Sequence, residues 1–160
     1  MQTDAVKKGG FLNDNMLSNR ANTSVVRHGG RTLALYEMSK PFEINPFDLS
    51  TVGLHDYDGD LSGAMMAHPK IDPETGEMWF LSVSPMPAGI QYYAIDEMGF
   101  VTQKGSISVP NSTMMHDFQL TRNFVIVMDL PMVFSMGNIF GGLPYKWDPS
   151  VGARIGVIPR

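Results

Sequence analysis

Cysteine is absent from the 160 residues, which excludes a disulfide framework and a thiolate metal site, so any metal must be held by His, Asp or Glu. Long apolar runs are missing as well. The longest, FVIVM (124–128), falls far short of the roughly 20 residues with which a helix crosses a bilayer. Positive charge is sparse: 12 Lys and Arg against 16 Asp and Glu leave a net charge of -4 with no basic cluster. Without that electrostatic footprint, nucleic acid is not an expected partner. Two lysines in the opening MQTDAVKKGGFLNDN have no apolar segment behind them, which is unlike a secretory signal. A cytoplasmic protein is the expectation these absences leave.

What is present reads as strand and turn. Hydrophobic residues make up 43% and charged residues 18%, ordinary values for a globular protein. The 11 prolines and 16 glycines are spread along the whole length, and the apolar runs between them, about four to eight residues long, have strand length. Short strands are predicted at 42–44, 91–95 and 106–109. DPETGE (72–77) and DEMG (96–99) carry the proline, aspartate and glycine of chain reversals. The expected class is all-β.

Three segments share a layout of leading polar residue, turn, apolar strand and proline: NTSVVRHGGRTLALYEMSKP (22–41), HPKIDPETGEMWFLSVSP (68–85) and HDFQLTRNFVIVMDLP (116–131). Their leading residues, Asn22, His68 and His116, are 46 and then 48 positions apart, within the roughly 40 to 50 residues of a β-propeller blade. The period predicts part of a propeller, about three blades, over 21–160, with 1–20 as an incomplete lead-in. An evenly spaced β-sandwich is the alternative. In a propeller, equivalent positions of successive blades converge on one axis, so the two histidines of the repeat can meet.

His68 and His116 are therefore the candidate metal ligands; an all-imidazole set adds no negative charge and leaves the full charge of the metal available. His28, in VRHGGRT, and His55, in GLHDYDGD, lie among Gly, Asp and Arg and read as surface-loop residues. Glu37 closes the apolar strand TLALYE, where it either meets a buried imidazole N–H, as a carboxylate often does behind a metal-bound His, or ends the strand in solvent. Alternation along a strand turns Asp117 away from whatever His116 binds. Asp72 reads as a turn former.

The blocks RANTSVVRHGGRTLALYE, AHPKIDPETGEMWF, MMHDFQLTRNFVIVMDLP and GGLPYKWDPSVGARIGVIPR, in this order and spacing, resemble the carotenoid cleavage oxygenases, which act on carotenoids, apocarotenoids and lignostilbenes. The resemblance implies a seven-bladed β-propeller with Fe(II) on its axis, held by four histidines, three of them backed by glutamates. Carried over, His68 and His116 are the first two ligands, and Glu37 accepts a hydrogen bond from His116. It also implies O2 and a lipophilic alkene as reactants, two carbonyl compounds as products, and an apolar tunnel. Members use a loop near 131–143 for peripheral membrane contact, which makes Met132, Val133, Phe134, Ile139 and Phe140 candidate membrane or substrate-entry residues; ordinary blade packing also fits them.

Members of that family are much longer than this chain, and their third and fourth histidines follow the block that ends here at GVIPR. His28 and His55 precede the first ligand and match no ligand motif. The expectation is thus an internal fragment of a non-haem Fe(II) dioxygenase, with a half-built site and no turnover of its own. The competing expectations are a non-catalytic propeller module with relic histidines and a zinc hydrolase using His68, His116 and a carboxylate.

Overall fold

A computed structural model describes residues 20–85, 88–138 and 143–160; most of the lead-in lies outside them. Among the described residues there is no α-helix, and regular structure is strand with two short 3-10 turns. The first sheet is an antiparallel meander of β1 (Ser24–His28), β2 (Arg31–Leu35), β3 (Phe42–Ile44) and β4 (Thr51–Leu54). The second repeats it with β5 (Lys70–Ile71), β6 (Met78–Pro85), β7 (Ala88–Ile95) and β8 (Val101–Ile107). The third begins as the others do, with β9 (Phe118–Leu120) and β10 (Phe124–Asp129). A hairpin, β11 (Met132–Phe134) and β12 (Tyr145–Trp147), then interrupts it before β13 (Arg154–Pro159) returns to pair with β10. That interruption and β13 are additions to the sequence-based expectation, and the strand predicted at 106–109 proves to be the end of the longer β8.

The middle sheet shows why MWFL reads as an unbroken apolar run. Successive strand residues point to opposite faces, and here both faces are covered. Met78 and Phe80 pack with Leu33, Leu35, Tyr93 and Ile95 between the first and second sheets. Trp79 and Leu81 pack with Phe118, Val125 and Val127 between the second and third. Phe80 stacks on Tyr93 with ring centres 4.9 Å apart. At about 25 cal/mol per Å2 of buried apolar surface, side chains of this size are the main source of cohesion between sheets.

The turns lock the sheets in register. Asp72 accepts the Glu74 N–H at 2.9 Å, and Asp96 accepts those of Met98 and Phe100 at 3.1 and 2.8 Å. The β1–β2 and β7–β8 turns touch through two glycines at positive φ: a Cβ on Gly29 would lie 2.5 Å from the Gly99 Cα. His28 is not a loop residue but the last of β1, and its Nε2 lies 2.8 Å from the carbonyl of Gly76 in the second sheet. Between the second and third sheets, Arg160 pairs with Asp72 at 2.6 Å and Glu77 at 2.9 Å and lies over the Trp79 ring.

His55 lies in a loop, as expected, but is half-buried there. It follows β4, packs edge-on against Tyr57 with ring centres 4.3 Å apart, and has a buried Nε2 without a hydrogen-bond partner among the described residues. Burial, reinforced by the Arg31 charge, pushes its imidazole below the ordinary value and keeps it neutral.

Candidate metal centre

Asn22, His68 and His116 each stand two residues before the first strand of a sheet, β1, β5 and β9 respectively. Among the described residues each of these strands pairs on one side only, so the three leading residues share one edge of the stack. The blade period thereby becomes proximity: the His68 and His116 rings meet edge to face with centres 4.6 Å apart. Asn22 is exposed, and its side chain accepts the Thr23 hydroxyl. The histidines begin not in their strands but in the loop just ahead, where the pleat does not dictate direction.

Glu37 lies two residues beyond β2, in the turn toward β3 rather than in the strand itself. Its Oε1 rests against Nδ1 of His116 and stands 4.0 Å from Nε2 of His68. That oxygen is shut off from solvent and has no hydrogen bond of ordinary geometry among the described residues, so the imidazole is the group it faces. The ligand atoms of Glu37, His68 and His116 all fall within 4.8 Å of one another. Exposure grades across the group: 22% for the Glu37 side chain, 34% for His68 and 57% for His116. The carboxylate forms the floor and His116 the open side.

Asp117 does not join the cluster. It pairs with Lys70 at 2.8 Å and accepts its neighbour's Phe118 N–H at 2.8 Å. Burial acts to raise its carboxyl, but those two hydrogen bonds outweigh it and hold the group below the usual range.

Two apolar recesses flank the cluster. One, about 290 Å3, runs from His116 past Met114, Met128, Leu130, Met132 and Trp147. The other, about 310 Å3, holds Glu37 with Tyr36, Met114, Met115, Leu143 and Tyr145. Burial raises the Tyr145 hydroxyl, and the Glu37 charge raises it further, so Tyr145 stays neutral. Sequence reasoning did not single out Met114, Trp147 or Tyr145; only their placement in conspicuous blocks marked them. Met132, Val133 and Phe134 form β11, half-buried and paired with β12. Ile139 and Phe140 lie outside the described residues. Among the described residues no helix is long and apolar enough to cross a membrane.

Known proteins of the same build carry oxygenase names. Carotenoid 9,10(9',10')-cleavage dioxygenase 1 of Phaseolus vulgaris is 40% identical over 144 residues, which are 87% of this chain and 26% of that protein. Isoeugenol monooxygenase of Pseudomonas nitroreducens is 39% identical over 145 residues, 88% of this chain and 30% of the relative. The crystal structure of Pseudomonas brassicacearum lignostilbene dioxygenase superposes with a TM-score of 0.83 at 30% identity, covering 94% of this chain and 33% of that one. The chain thus spans about a quarter to a third of the length of these relatives, and its sheets are consecutive blades of a partial seven-bladed β-propeller. The family pattern described as retinal pigment epithelial membrane protein (RPE65) matches residues 4–160, and the chain belongs to that family, within the carotenoid cleavage oxygenases.

Proposed function

We propose that this chain is the part of a non-haem Fe(II) dioxygenase that contributes His68 and His116 as metal ligands and Glu37 as their support, its residues 21–160 forming part of one propeller domain. The carrying observation is the buried Glu37 Oε1 against His116 Nδ1, with His68 edge-on beside it. A carboxylate in that position accepts a hydrogen bond from Nδ1–H, fixes the tautomer, and leaves the opposite nitrogen of His116 with its lone pair free. Fe(II) held there would supply O2 activation for splitting a conjugated C=C bond into two carbonyl groups. The chain's own side chains do the rest. The two neutral imidazoles leave the charge of the metal uncancelled, and the Met- and Trp-lined recess beside His116 holds an apolar alkene and keeps water away.

The names of the relatives support carotenoid, apocarotenoid or stilbene-type alkenes as substrates. The ion pair that occupies Asp117 counts against a hydrolase that takes its carboxylate from Asp117. Exposed Met136, Leu143 and Trp147 at the β11–β12 hairpin support peripheral membrane contact of an otherwise cytoplasmic protein, through which a lipophilic substrate would arrive. The deciding experiment is anaerobic Fe(II) binding to the chain. Micromolar binding that disappears in His68→Ala and in His116→Ala supports the oxygenase reading, and binding unaffected by both substitutions refutes it.

A further inference from the structure

The face that the second sheet turns toward the first changes chemistry partway along. Met78 and Phe80 on β6 and Tyr93 and Ile95 on β7 belong to the apolar core between these sheets. Further along the same alternation come Ser82 and Ser84 on β6, Gln91 on β7 and Ser106 on β8, with Ser82 opposite Gln91 and Gln91 opposite Ser106. The reason is length: β6 and β7 have eight residues each, whereas β1 and β2 have five. The second sheet therefore overhangs the first, and on the overhang small hydroxyl side chains replace aromatic ones. The result is a groove of about 710 Å3, closed on one side by Ser62, Gly63 and Ala64.

Three features make this groove a built site. Among the described residues no charged side chain lines it. None of its five serine hydroxyls, on Ser62, Ser82, Ser84, Ser106 and Ser108, hydrogen-bonds to the protein among the described residues, although Ser82 is only 5% exposed. The Ser82 oxygen is not shut off from solvent as Glu37 Oε1 is, so it is open to a ligand or water. Finally, the groove shares Ala64 and Val83 with the apolar recess that holds Glu37 and Tyr145.

We infer that this groove receives the hydroxyl-bearing end of a neutral, elongated ligand whose apolar length lies in the recess beside Glu37. Ser82 and Ser106 are the specificity residues: each offers a donor and an acceptor to an uncharged oxygen. The absence of any lining cation or anion selects against carboxylates and amines, whose charge would go unpaired there. The inference deepens the oxygenase reading and relies on it only for the identity of the apolar portion.

The test is binding by the iron-free chain, followed through tryptophan fluorescence, of two apocarotenoid aldehydes that differ by a single ring hydroxyl. The hydroxylated compound is expected to bind about tenfold more tightly. Ser82→Ala and Ser106→Ala should each bring the ratio below about threefold while leaving the affinity for the other compound unchanged, which also shows that the variants are folded. Equal affinity of the unsubstituted chain for both compounds overturns the inference, as does a ratio untouched by either substitution or no binding at all. Iron plays no part in this measurement. A hydroxyl preference found alongside failed Fe(II) binding upholds the groove and discards the oxygenase reading.

Discussion

Oε1 of Glu37, in the β2–β3 turn of the first sheet, lies against Nδ1 of His116, at the head of the third. A contact that spans the stack requires all three sheets to be in register, so the site reports on the packing of the whole chain. Replacing the carboxylate by a neutral amide leaves the Nδ1 proton only a weaker, uncharged acceptor and loosens the hold on the ring. Glu37→Gln is expected to weaken Fe(II) binding about 10 to 100-fold, and His116→Ala to abolish it. Anaerobic equilibrium dialysis with metal analysis measures both, and equal affinity in Glu37→Gln and the parent chain would remove Glu37 from the site.

Gly29 and Gly30 give a matched pair of backbone tests. Both have positive φ, but a methyl on Gly29 would strike the Gly99 backbone whereas one on Gly30 meets nothing within 4 Å. Gly30→Ala should cost about 1 to 2 kcal/mol, the usual penalty of the left-handed region. Gly29→Ala should cost about 3 kcal/mol or more, because the first two sheets must part. Urea denaturation compares the two, and equal losses would mean that the turn contact contributes nothing.

His55 predicts a pH dependence. Its folded-state pKa lies below the ordinary value because burial penalises the charged ring. The unfolded chain therefore takes up the proton first as pH falls. The contribution of the neutral ring is fully present above about pH 6.5 and is lost progressively below it, until the folded form protonates as well. Thermal melts between pH 8 and pH 5 should show a smaller drop in Tm for His55→Phe than for the parent chain, and parallel curves would contradict this.

Arg160 is one of the ties between the second and third sheets. Its side chain is 11% exposed and carries both Asp72 and Glu77. The Asp72 carboxyl is held below its ordinary value by the Glu74 N–H first and by the Arg160 guanidinium second. Its contribution is present at neutral pH and fades as pH falls below about 4. Arg160→Met should lower the Tm by several degrees at pH 7 and by less at pH 3. Scanning calorimetry at the two pH values reads the difference, and an equal loss at both would assign the effect to packing on Trp79 and to the hydrogen bonds that Arg160 donates to the Thr121 and Arg122 carbonyls.

Membrane contact is tested at the β11–β12 hairpin. Leu143→Glu and Trp147→Glu replace exposed apolar side chains and should lower sedimentation with neutral phosphatidylcholine vesicles several-fold. Binding that survives both changes would place the contact elsewhere.

Much of this was legible along the chain because it is local. The strand at 42–44, the reversals at 72–77 and 96–99 and the all-β class follow from proline, glycine, aspartate and short apolar runs. The register of His68 with His116 follows from a repeat. The β11–β12 excursion was not legible, because a hairpin inserted within a blade leaves the same alternation as a blade strand. His28 was misjudged because polar neighbours in sequence say nothing about a carbonyl arriving from another segment.

The sequence by itself determined the period, the residue types that can hold a metal and the exclusion of thiolate chemistry, since composition and spacing are properties of the chain. Only the tertiary structure decided that Glu37 takes its place under His116 rather than in solvent, that Asp117 is occupied by Lys70, and that the serines of the second sheet line one groove. Those outcomes depend on how far one sheet overhangs the next, a quantity set by packing between residues distant in the chain and carried by no local pattern.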